Sequence, residues 1–275
     1  MKKFLSMALA LTMMVSLAAC GAKEAPAASA PAASAPAASS AEEKVMVYAV
    51  EAGSAGEAAA IDAGYEITSV ETQAAALMEV AAGTSDAAII DSLMAGAMVG
   101  EGTSYPDLKV TDQKLTEELY GVGCRKGSDL AAYINGVFAE AYAVGTMQEI
   151  ATTYGVQEAL VEQTSEIIDP PTGGDVADIQ AKGKLIVGIT DFAPMDYKDD
   201  NGEWIGFDAD MAKIVAEKLG VEIEFIEIDW DSKIMELDSG NIDVVWNGMT
   251  LTDAVMEAME CSTAYCNNAQ VVVTK

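Results

Sequence analysis

Chemistry that needs a histidine is closed to this chain, because its 275 residues contain none. That removes the usual general base, the Ser/His and Cys/His nucleophile pairs and the commonest zinc ligand. Four cysteines stand at Cys20, Cys124, Cys261 and Cys266. The spacing of Cys261 and Cys266 suits a bridge in an oxidising compartment, and equally suits two buried thiols behaving as small hydrophobes. Gly121-Val122-Gly123 with Gly127 has the wrong spacing for a dinucleotide loop. Asp199-Asp200-Asn201-Gly202 lacks the ligand order and terminal Glu of a calcium loop and reads as a hairpin turn. No catalytic set, cofactor or metal site is expected. What the chain carries in quantity is carboxylate, 44 acidic against 15 basic side chains for a net charge of −29. Such a surface repels nucleic acid and anionic lipid, and weakly favours cationic or zwitterionic solutes.

The elements that must position these carboxylates alternate in type. Apolar runs bounded by turns alternate with helical patterns, the signature of an α/β architecture. Strands are expected at 184–189, 221–228 and 242–246. Phe207, Met211, Ile214, Val215 and Leu219 recur at helical spacing, with Gly220 as a stop. A short helix over 231–238 ends at Gly240. A related unit lies upstream: Met78-Glu79-Val80, Gly83, Asp86 and 87–90 correspond at constant offset to Met235-Glu236-Leu237, Gly240, Asp243 and 244–247. Two helix, glycine-turn and strand units so far apart suggest two lobes of similar construction. Residues 128–155 read as helix broken near Gly145, with Ser128 and Asp129 able to cap its start. Asp169-Pro170-Pro171-Thr172-Gly173-Gly174-Asp175 reads as a connector.

The N-terminus has its own logic. Met1-Lys2-Lys3 followed by an apolar run to Ala19 has the layout of a signal peptide, and falls short of the roughly 20 apolar residues of a membrane span. Leu17-Ala18-Ala19-Cys20 resembles the bacterial lipobox, which implies acylation of Cys20 as a membrane anchor. Residues 21–43 are almost entirely Ala, Pro, Ser and Glu, the composition of an extended spacer rather than a core.

Gly183-Lys184-Leu185-Ile186-Val187-Gly188, Pro194, Tyr197, Gly206-Phe207-Asp208-Ala209-Asp210, Asp229-Trp230-Asp231 and Asn247-Gly248-Met249-Thr250-Leu251-Thr252 resemble the opening of the bacterial amino-acid-binding proteins that feed ABC importers. Residues 47–57, with Glu51-Ala52-Gly53-Ser54-Ala55-Gly56-Glu57, resemble the start of that family's second lobe, and 130–155 its terminal helices. The resemblance implies a two-lobe, type II periplasmic-binding-protein-like α/β fold whose order is circularly permuted. Its expected parts are a signal peptide (1–19), lipidated Cys20 with its tether (20–43), lobe 2 (44–119), an interlobe crossing (120–127), lobe 1 helices (128–155), a connector (156–181) and lobe 1 (182–275). One crossing is expected to be open between Lys275 and the region of Lys44, loosening the hinge.

The resemblance further implies a monomeric, lipid-anchored extracytoplasmic binding protein working with a permease and an ATPase, its solute held between the lobes. Asp191 and Asp91 would take an ammonium group, and Phe192 and Trp230 would flank the aliphatic part. Asn247 belongs to the same loop set; Gly248, Thr250, Ser54 and Gly56 would offer donors to a carboxylate. Glu51 would meet the distal part of the solute. The family's carboxylate clamp is an arginine three residues after Thr252, where this chain has Val255, and Arg125 is the only arginine in the sequence. A cationic amino acid held mainly through its ammonium groups is therefore expected, with an amine lacking a carboxylate, or no amino acid at all, as the other outcomes. Rival readings are a non-transport sensor or scaffold lipoprotein, and a periplasmic dehydratase, which would need the clamp that Val255 removes.

Overall fold

The computed structural model describes residues 44–275, so the expected signal peptide, the lipidation of Cys20 and the spacer lie outside the described residues. From there the chain runs β1 (Val47–Glu51), α1 (Ala55–Asp62), β2 (Glu66–Val70), α2 (Gln73–Ala82), β3 (Ala87–Asp91), α3 (Ser92–Met98), β4 (Lys109–Lys114) and β5 (Glu118–Cys124). It continues through α4 (Leu130–Ala143), α5 (Thr146–Tyr154), α6 (Gly174–Lys182), β6 (Lys184–Ile189), a β7–β8 hairpin (Tyr197–Lys198, Trp204–Ile205), α7 (Phe207–Leu219) and β9 (Glu222–Glu227). The last elements are α8 (Lys233–Asp238), β10 (Val244–Thr250), α9 (Asp253–Ala258), β11 (Glu260–Cys261), β12 (Cys266–Asn268) and β13 (Gln270–Thr274).

Two sheets organise these elements. The first has the order β2-β1-β3-β13-β4; the second has β11-β5-β10-β6-β9, with β12 also paired to β5. In each, parallel strands form one side (β1, β2 and β3; β6, β9 and β10) and antiparallel strands extend the other. Central strands read as continuous apolar runs because both faces are covered: all of β3 is buried, as is β10 up to Met249.

The internal repeat is a structural one. Asp86 accepts the Val47 amide at 3.1 Å and Asp243 accepts the Ile186 amide at 2.8 Å, each pinning the start of its strand to the parallel neighbour. Each also pairs with a lysine just upstream of that neighbour, Lys44 and Lys182 respectively. Gly83 and Gly240 precede them with φ of 80° and 76°, a left-handed backbone that glycine adopts without penalty.

Several expectations shift. Asp129 leaves its own helix uncapped and instead accepts the Val176 amide of α6 at 3.1 Å. The connector ends in helix α6, and its residues 166–168 lie against Gly136, where a Cβ would come within 3.0 Å of Glu166 O. The expectation of an open crossing does not hold. The chain passes between sheets at 115–117, earlier than 120–127, and again at Ala269, because β13 inserts between β3 and β4 rather than ending the second sheet. Both passages are covalently continuous, so the predicted loosening of the hinge loses its basis. Cys124, Cys261 and Cys266 are all free thiols. No helix of the described residues is long and apolar enough to cross a membrane.

Candidate functional site

The carboxyl ends of β1, β3 and β10 face one another, where turns leave backbone and polar groups unused by the sheets. A cavity of ≈ 450 Å³ opens there, walled from one side by Glu51, Ser54 and Asp91 and from the other by Trp230, Asn247, Gly248 and Thr250. Val255 also lines it, so the position where the resembled family carries arginine presents an apolar wall.

The remaining expected residues lie elsewhere. Asp191 is exposed and borders a separate depression of ≈ 500 Å³ beside Tyr154, Tyr197 and Lys198. Phe192 is buried beneath the cavity floor: a Cβ on Gly248 would sit 2.3 Å from its ring. Gly56 backs onto Gln270 and Ile89, so it supports the wall without lining it.

Hydrogen bonding narrows what the wall can offer. Asn247 is spent on Thr190, accepting its amide at 2.8 Å and donating to its hydroxyl at 2.7 Å, which ties the loop after β6 to β10. The Gly248 amide donates to Asp208 at 2.6 Å and the Thr250 hydroxyl donates to Glu118 at 2.9 Å. At the start of α1, Ser54 Oγ accepts the Glu57 amide at 3.0 Å while Glu57 accepts the Gly53 amide at 2.8 Å, a reciprocal cap that uses the chain's own carboxylate. Gly248 and Thr250 are therefore not free donors for a solute carboxylate, and the helix start already faces an anion.

The two buried carboxyls differ sharply. Asp91 is saturated: the side-chain amides of Gln73, Asn268 and Gln270 donate to it, and its own amide donates to Gln73 Oε1 at 2.8 Å. Burial, then the nearby Glu118 charge, still pushes its pKa up to about 7. Glu51 is 3% exposed, its Oε1 has no partner, and burial followed by repulsion from Asp91 pushes it up to about 8. Glu51 is thus the carboxylate of the wall with an oxygen to spare.

Lys233 and Gln73 line the cavity and are absent from the expected set. Lys233 had a signal: it stands four residues before Leu237 in the 231–238 helix, on the face that packs inward. Gln73, the first residue of α2, had none.

Residues 185–275 match the family model of bacterial extracellular solute-binding proteins, family 3. This segment belongs to that family. The probable amino-acid ABC transporter-binding protein of Haemophilus influenzae is 35% identical over 104 residues, 37% of this chain and 40% of that protein. The arginine-binding extracellular protein ArtP of Bacillus subtilis is 37% identical over 95 residues, 34% of this chain and 37% of that one. A solved ancestral cationic amino acid solute binding protein shares 41% identity over 30% of this chain and 36% of its own, with a TM-score of 0.29. The chain matches about two fifths of the length of these curated relatives. The family segment supplies β6 to β13, hence the Trp230, Asn247, Gly248 and Thr250 side of the cavity.

Proposed function

We propose that this protein is the solute-binding component of an ABC importer, and that its cavity takes a small polar solute carrying an ammonium group, a cationic amino acid by preference. The observation that carries this reading is Glu51, a nearly fully buried carboxyl with an unpartnered oxygen on the wall of a cavity between two sheets. A carboxylate held out of water with no donor gains most from a cation that enters with its own charge. Trp230, 7% exposed on the opposite wall, supplies rigid apolar area for an aliphatic stem. The same reading includes acylation at Cys20, a permease and ATPase as partners, and a circularly permuted lobe order in which 44–114 and 270–275 make one lobe and 118–268 the other. Relatives named as amino-acid and arginine binders support the solute class. A thermal-shift screen against the common amino acids and polyamines tests it. Stabilisation is expected from cationic members of the panel, and loss of that stabilisation in Glu51→Gln; a panel without a single shift would defeat the reading.

A further inference from the structure

Lys233 is the one positive side chain on the cavity wall among the described residues. It is 7% exposed, and it enters none of the ion pairs formed by the described residues. Its Nζ donates to Gly53 O at 2.8 Å and to Trp230 O at 3.0 Å, and lies 4.7 Å from the centroid of the Trp230 ring. Two carbonyls and a ring face fix the ammonium in place without cancelling its charge. An ammonium has three N–H donors, so one stays unspent. Burial pushes the Lys233 pKa down, opposed by the nearby charges of Glu51, Asp231 and Glu57, none of which comes within ion-pair distance.

Of the other donors expected to meet a carboxylate, the Ser54 hydroxyl alone, which accepts from Glu57 and keeps its own hydrogen, stays available. Gly248 and Thr250 donate to Asp208 and Glu118, Gly56 is off the wall, and Val255 is apolar. Besides the exposed Asp231, the wall therefore holds one ammonium outside any ion pair and, on Glu51, a buried carboxylate oxygen without a partner. That is the complement of a zwitterion.

We propose that Lys233 is the carboxylate-recognising residue of the cavity, giving its free N–H and its charge to the carboxylate of an amino acid whose ammonium group meets Glu51. This assignment rests on the solute-binding reading above. It makes the cavity discriminate an amino acid from the corresponding amine despite the acidic walls. Because Lys233 also bridges Gly53 on one wall to Trp230 on the other, the residue that senses the carboxylate is the one that spans the cavity.

The test is calorimetry with probes that differ by the carboxylate alone: L-arginine against agmatine, and L-lysine against cadaverine. Wild type is expected to prefer each amino acid at least tenfold. Lys233→Met is expected to weaken the amino acids thirtyfold or more while leaving the amines unchanged or tighter. Equal wild-type affinity within each pair overturns the assignment alone, as does parallel loss of acid and amine in a Lys233→Met protein that melts normally, which would make the lysine a positioning residue. If Lys233→Met does not fold, L-lysinamide against L-lysine on wild type decides the same point. Absence of heat with every probe overturns the proposed function and this assignment together.

Discussion

Gly53 and Asp231 touch across the cavity: a Cβ built on Gly53 would lie 2.7 Å from Asp231 Cα. Gly53 has a φ of 68°, so this close approach of two backbones also uses a left-handed turn. Gly53→Ala is expected to hold the walls apart, raising the radius of gyration in small-angle scattering and weakening solute binding at least tenfold. Unchanged scattering and affinity would show that the contact does not govern closure.

Val255 gives a gain-of-function test. It lines the cavity close behind the Thr252 cap of α9. Val255→Arg places a guanidinium where a planar carboxylate can be met with two hydrogen bonds. Amino-acid affinity is expected to rise about tenfold or more, with less effect on amines; calorimetry showing no gain would mean that a carboxylate does not lie near this wall.

Glu51 makes binding pH-dependent in a defined direction. With its pKa at about 8, the free protein holds a proton there at neutral pH, whereas an ammonium group favours the ionised form. Affinity for a cationic solute is expected to climb as pH rises from 6 to 8 and to level off above. Titrations in buffers of different ionisation heat should register proton release at pH 6 to 7 that fades by pH 9. A flat profile excludes Glu51 as the receiving group.

Stability should run the opposite way with pH. Asp196 and Asp208 are both fully buried, and both Asp196 oxygens and Asp208 Oδ1 lack partners. Burial, and for Asp196 the Asp208 charge as well, pushes Asp208 up to about 7 and Asp196 well above the usual carboxylate range. The folded state therefore keeps protons that the unfolded chain releases. Its extra stability is complete below the ordinary carboxylate pKa of about 4 and is lost as pH rises through about 7. The melting temperature is expected to fall between pH 5 and pH 8. Asp196→Asn, which removes one of the two buried acids, should raise it by about 3–6 °C at pH 8 and little at pH 5. Equal melting at the two pH values would contradict the buried protons.

The proposed permutation has a direct check. The Lys275 ammonium lies 3.7 Å from the Cβ position of Gly83 and Lys44 pairs with Asp86, so both segments reach the same turn. A reordered chain running 156–275, a short glycine linker and 44–155, which keeps the buried Val156, Val176 and Ile179, should keep the circular dichroism of the parent and its solute affinity within threefold. Failure to fold would show that the present order is required.

Much of this architecture was legible in the residues because period and punctuation are local. Strand β6, helix α7 and the Gly83 and Gly240 turns lie where patterns of apolar side chains and glycine place them. The Asp86 and Asp243 repeat was visible as spacing, although the amides it accepts, Val47 and Ile186, are set by tertiary pairing. The site was harder. Gly53 and Gly248 have amides suited to an anion, but hydrogen-bond capacity is shared across the whole fold, and the Glu57 and Asp208 carboxylates had already engaged them. Asp191 failed because the loop after β6 carries it away from the cavity, into the separate depression beside Tyr154, Tyr197 and Lys198. Lys233 was hidden because a lysine in a helical pattern usually points to water.

Asp91 ties the cavity wall to the passages between the two sheets. Asn268 and Gln270 flank one passage between the sheets, Glu118 opens the strand after the other, and all four side chains share hydrogen bonds. The passages between the sheets are therefore hydrogen-bonded directly to a residue of the cavity wall, with no insulating layer between them. A change of protonation on Asp91, whose pKa is pushed up to about 7, is therefore expected to disturb the hydrogen bonds of both passages in one stroke, with no solute exchanged.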